Sequence, residues 1–187
     1  AAVRTAESRS VLAALGVPAE QIYFLGYPDT GMPYEESFLR RLYDGCRVSA
    51  SRWGRTETWR PDGQDFHFMR SGCHSTYTAA SVLRDLSDVL ALVNPDTVYV
   101  TAPGDCHGDH DALGRFTTQA VAAMENPPAL YYYLIHADRT DIWPERDAER
   151  FRLPPMAADH PLLRCAAERR PLPDGFPPAE KYSLIQS

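Results

Sequence analysis

The sequence predicts an α/β fold in which helices cover a doubly wound, largely parallel sheet. Three observations predict it. Stretches of strand type alternate with stretches of helical period along most of the chain. The most strand-like stretch, Thr97-Val98-Tyr99-Val100-Thr101, is rich in β-branched and aromatic residues and reads as buried; Pro103-Gly104 stops it. Ionisable side chains then crowd the loop at its carboxyl end, where open α/β sheets hold their ligands. A length of 187 residues with 44% hydrophobic content suits one substantial domain rather than two.

The elements follow in order. Ala6, Val11, Leu12 and Leu15 fall at helical spacing, so a helix is expected over about Arg4–Leu15, with Gly16 at its C-terminal cap. Gln21-Ile22-Tyr23-Phe24-Leu25 reads as a strand, and Gly26-Tyr27-Pro28-Asp29-Thr30-Gly31 as a turn. Ser37–Arg47 suits a short helix. Arg52–Ser75 is a long polar stretch carrying Trp53, Trp59, Phe66, Phe68 and His74, of the irregular kind that is functional or mobile, its aromatics either pinned to the core or lining a cleft. Tyr77–Val93 is the clearest helix: Val82, Leu86, Val89, Leu90 and Val93 form one apolar stripe, with Arg84, Asp85 and Asp88 off it. After the key strand and its loop, Ala112–Met124 is a second helix, ended by Pro127-Pro128. Leu130–His136 is a further strand, with at least one of its three tyrosines expected in the core.

Composition excludes several functions. Net charge is −6 with scattered basic residues, which argues against nucleic acid as a partner. No apolar run approaches membrane-spanning length. Cys46, Cys73, Cys106 and Cys165 show no paired spacing, so free thiols in a reducing, cytoplasmic setting are expected. No Gly-x-Gly-x-x-Gly follows a strand, which weakens a dinucleotide site. The residues leave self-association into a homo-oligomer open.

Asp105-Cys106-His107-Gly108-Asp109-His110-Asp111 holds three aspartates, two histidines and a thiol. Neutral imidazole suits zinc, and a carboxylate orients a ligating ring through its second nitrogen. His107, Asp109 and His110 are too close in sequence to ligate one ion together without strain. One histidine as a ligand with the other facing substrate is the better division. Asp109 or Asp111 capping the following helix is the simpler alternative. His136, at another strand end, is a second candidate of lower weight. Taken alone, Arg4 reads as a solvated helix residue and Asp29 as a turn residue.

Several ordered pieces resemble the PIG-L (LmbE-like) deacetylase family: Arg4-x-x-Glu7, Leu15-Gly16-Val17, Phe24-Leu25-Gly26-Tyr27-Pro28-Asp29, Pro95–Val100 and His107-Gly108-Asp109-His110. Tyr131–His136, Trp143-Pro144 and Lys181-x-x-Leu184-Ile185 continue the likeness. The resemblance implies a Rossmann-like three-layer sandwich. It also implies a zinc-dependent hydrolase that removes an acyl group, usually acetyl, from an N-acylated sugar or glycoconjugate. His110 would be a Zn2+ ligand, and His107 would stabilise an oxyanion or act as an acid. Asp109 would support His107 and hold its pKa above the ordinary value. Arg4 and Asp29 would hold sugar hydroxyls, with His136 also toward substrate.

The sequence departs from the family at one place that matters. The family draws two metal ligands and the general base from a His-Pro-Asp-Asp-Glu type motif, and none occurs here; His160-Pro161 is followed by Leu162-Leu163. Gly108 also stands where the family commonly has proline. The chain is therefore expected to be a single deacetylase-like domain, 1–187, cut short at both ends. The alternative is a non-catalytic α/β binding module that has lost its metal site.

Overall fold

The computed structural model describes residues 2–30, 36–46, 50–61 and 63–136. The expectations for Trp143-Pro144 and for Lys181–Ile185 lie outside the described residues.

Helix α1 spans Ala2–Ala14, and Gly16, at φ 81°, turns the chain out of it. Three further helices precede the first strand: α2, Phe38–Tyr43; α3, Phe66–Ser71; and α4, Ala79–Val93. Strand β1, Thr97–Thr101, leads into α5, Gly108–Ala122, and the chain returns through β2, Ala129–Tyr133. β1 and β2 pair in parallel, with Thr97 opposite Ala129 and Thr101 opposite Tyr133. The parallel pair joined through a helix makes the fold α/β, as the alternation of periods predicts.

The core lies between α2, α4 and α5. Phe38, Leu42, Tyr77, Val82, Ala112 and Phe116 are buried together, and Leu90, Ala120 and Val121 form a second cluster against Val98. Thr78 caps α4 by accepting from Ser81 N, and Asn94 ends it in the left-handed region at φ 46°. α5 approaches the end of β1 so closely that a Cβ on Gly114 would stand 2.3 Å from the Thr101 carbonyl oxygen and 2.9 Å from Pro103 N. Helix propensity alone favours alanine over glycine by ~1 kcal/mol. Gly114→Ala is nonetheless expected to destabilise the fold by about 1–3 kcal/mol, because the backbone contact has to open. A denaturant titration checks it, and a stabilised variant would refute the close approach.

Five expectations need correction. Gln21–Leu25 is not a strand: Ala19–Gln21 is a short 3-10 turn, and the extended residues after it pair with no strand among the described residues. Phe66 N donates to Phe24 O and Trp59 N to Gly26 O. Strand β1 is buried only at its carboxyl end, with Val100 and Thr101 inside and Tyr99 55% exposed and stacked on Tyr131. None of Tyr131, Tyr132 and Tyr133 is fully buried; Tyr132 instead hydrogen-bonds the Thr118 hydroxyl at 2.6 Å. On α4, Val82 and Leu90 are buried as the stripe predicts, but Val93 is exposed and Asp85 is buried, against it at those two positions. Finally, α5 starts four residues earlier than predicted, at Gly108 rather than Ala112, so Asp109 and His110 sit in its first turn.

Part of the polar stretch Arg52–Ser75 is pinned to the core. Phe66 is buried within it, and Asp65 caps α3 while accepting from Thr58 Oγ1 and pairing with His74. Trp53, by contrast, is 61% exposed.

Candidate functional site

The parallel register brings the carboxyl ends of β1 and β2 side by side. Ala102 N donates to Tyr133 O and Cys106 N to His136 O, each at 2.9 Å, so the loop after β1 runs alongside the end of β2. His107 is the N-cap residue of α5, and His110 lies three positions on, on the same face. Three imidazoles therefore converge. The ring centroids of His107 and His110 are 4.3 Å apart, those of His110 and His136 5.3 Å, and those of His107 and His136 5.7 Å, all with nearly parallel planes.

Beneath the rings lies Asp105, which the sequence pattern does not single out as a site residue. It is fully buried, and its carboxylate ties the loop after β1 to the segment that follows β2. Oδ1 accepts from His107 N at 2.9 Å. Oδ2 accepts from Ile135 N at 3.0 Å and His136 N at 3.1 Å. Oδ1 also faces His110 Nδ1 at 3.5 Å. Burial works to raise its pKa, but the His110 ring and the three backbone N–H groups outweigh it and leave the carboxyl below its ordinary value. A signal for it is present in the sequence: an aspartate two residues before a backbone N–H it bonds is an Asx-turn.

Asp109 is likewise buried. Its Oδ2 accepts from Thr30 N at 2.9 Å and Thr30 Oγ1 at 3.1 Å, and its Oδ1 from Leu39 N at 2.8 Å. Asp111 takes Gly104 N, Arg115 Nε and the Arg40 guanidinium. These two aspartates tie α5 to its neighbours, which is more than the local helix cap that the simpler reading gives them.

Asp29 projects into solvent with its Oδ1 3.9 Å from His107 Nε2. Asp29, His107 and Asp109 thus form a group whose donor atoms lie within 4.8 Å of one another. Arg4 stands exposed on α1, and no contact among the described residues links it to this group. A cleft of about 250 Å³ opens beside Thr30, lined by Glu36, Phe38, Arg41, Ser51 and Arg52 among others.

One electrostatic expectation is reversed. The family likeness puts the His107 pKa above its ordinary value; it lies below it. Burial is the main cause, the neighbouring His110 and His136 rings add to it, and Asp109 and Asp29 oppose it without prevailing. The oxygens of Asp109 accept from Thr30 and Leu39 rather than from the ring, so its charge acts on His107 without a hydrogen bond.

Among the described residues no helix is long and apolar enough to cross a membrane. Comparison with curated proteins and with solved structures gives no match. The family model described as GlcNAc-PI de-N-acetylase matches residues 1–121, which include α1 and the whole histidine loop while leaving out β2 and His136. With well over half of its length matched, and with the ordered motifs running from Arg4 to His110, the chain belongs to the PIG-L family of deacetylases.

Proposed function

We propose that this chain carries one wall of the active site of a zinc-dependent hydrolase that removes acetyl or a similar acyl group from an N-acylated sugar. The observation that carries this reading is the trio His107, His110 and His136 gathered over the buried Asp105.

The donor chemistry fits a metal at His110. Its Nδ1 faces the Asp105 carboxylate, which leaves Nε2 as the free donor, the arrangement in which a carboxylate orients a ligating ring. Asp109 is committed mainly to Thr30 and Leu39, which makes it a supporting carboxylate in this reading. A catalytic zinc needs about three protein ligands. His110 is one, and the remainder would come from a His-Pro-Asp-Asp type segment joined to this chain. When bound, zinc supplies Lewis-acid activation of a water and of the amide carbonyl.

The chain's own residues do the rest. His107 presents Nε2 on the side of Asp29 and donates to the carbonyl oxygen as that oxygen gains charge. Asp109 holds Thr30, and so the exposed Asp29, beside that ring; Asp29 accepts from a sugar hydroxyl. His136 closes the far side of the stack. The polar cleft from Thr30 to Arg52 receives the remainder of the glycoconjugate. Arg4 joins the substrate contacts only if the sugar extends to α1.

The test is a deacylation assay on N-acetylglucosamine conjugates with the full-length protein, alongside elemental analysis. Stoichiometric zinc and amine release that a chelator abolishes are expected; a zinc-loaded protein that frees no amine from any N-acyl sugar would sink the reading. The second reading is a binding module without chemistry. Sugar binding with neither zinc nor turnover would select it.

A further inference from the structure

A second set of reactive side chains gathers around α3, on residues that the histidine trio does not use. His67 lies in the first turn of α3. That helix ends at Gly72, whose φ of 77° folds the chain back over the last turn. The return places the exposed Cys73 with its Sγ 3.9 Å from His67 Nε2. On the other side of the ring, Nδ1 is buried without a hydrogen bond and stands 3.3 Å from Asp85 Oδ1.

Asp85 itself is fixed. It is fully buried on α4, and its Oδ2 accepts from Ser75 Oγ at 2.6 Å and Tyr27 Oη at 2.8 Å. Its Oδ1 accepts from Arg84 Nη2 at 3.0 Å. Asp88 adds a second carboxylate within 4.8 Å of the His67 and Asp85 donor atoms. Thiol, imidazole and buried carboxylate therefore stand in sequence, which is the relation of an activated nucleophile, its base and the group that orients the base. The Asp85 carboxylate beside Nδ1 orients the ring so that its Nε2 faces the thiol.

We propose that Cys73 is a thiol activated by His67 and Asp85, and that it exchanges with small disulfides. The Sγ proton passes to His67 Nε2. The sulfur then attacks one sulfur of the disulfide, the S–S bond breaks, and the departing thiolate takes the proton back from His67. One mixed disulfide and one free thiol result, with no other oxidant consumed.

Cys46 is the internal control. It is also exposed, and no imidazole meets its sulfur among the described residues. The folded protein is treated with limiting iodoacetamide at neutral pH, quenched, digested and read by mass spectrometry, and the run is repeated in denaturant. Cys73 is expected to react roughly tenfold or more faster than Cys46 in the folded protein, because thiolate share sets the rate. The ratio should fall to near one in denaturant and in His67→Gln. Oxidised glutathione should add to Cys73 before Cys46. Equal rates in the folded protein overturn the proposal. So does a Cys73 advantage that survives in denaturant, which would be a property of local sequence.

Discussion

His107→Ala is expected to lower deacylation turnover by about 10²–10³-fold, the usual cost of removing one donor aimed at a developing oxyanion. Zinc content should remain unchanged. The two effects separate because the ring offers the site only a hydrogen bond: its Nε2 lies on the side of the exposed Asp29, whereas His110 is the histidine whose other nitrogen is backed by buried Asp105. His110→Ala should therefore do the opposite and remove the metal first. Elemental analysis of both variants beside steady-state kinetics decides the matter. Should His107→Ala come out free of zinc, the two histidines have exchanged the roles assigned to them. The backbone gives little reason for either variant to unfold, since the bond from His107 N to Asp105 does not involve the side chain that is lost.

Asp105→Ala should be the most damaging single change at this end of the fold. The carboxylate satisfies the N–H groups of His107, Ile135 and His136 and faces the His110 ring. Each N–H left without an acceptor costs about 1–3 kcal/mol, less whatever water recovers. A loss of about 3 kcal/mol or more in a urea titration is the expected result. Under the zinc reading, metal affinity should drop about 10–100-fold as well, because His110 loses the group that fixes its orientation. Acid supplies an independent check. The folded-state pKa of Asp105 is depressed, so its contribution is complete above the ordinary aspartate value of about 3.9 and fades as the pH falls below that value. Asp105→Asn removes the titrating group and should flatten stability against pH in that acidic window. An unaltered acid limb would mean that the buried carboxylate is not linked to folding in this way.

Sequence is a good guide wherever one local pattern settles the matter. β1 and α4 are legible because β-branched alternation and a helical stripe each suit a single kind of element, and the loop after β1 stands out because ionisable residues cluster at a strand end. The errors come where tertiary partners decide. Gln21–Leu25 has a strand's composition, yet its backbone bonds to the first residue of α3, Phe66, rather than to a strand. Asp85 has the look of a solvent-side charge, but Tyr27 and Ser75, 58 and 10 residues away, wait inside to donate to it. The start of α5 is hidden because its first turn, Gly-Asp-His-Asp, is composed like a loop and is held by side chains and backbone from elsewhere. His107, His110 and His136 each stand out in the sequence, but that they stack over Asp105 depends on a register no single stretch contains.

Asp109 grips Thr30 and Leu39 from the same helical turn that carries His110. The rim of the polar cleft and the imidazoles are thereby geared to one another. Anyone redesigning substrate preference by exchanging the segment around Thr30 would have to transplant its hydroxyl and amide along with it. Otherwise the swap would re-aim the rings at the same time as it reshaped the mouth they serve.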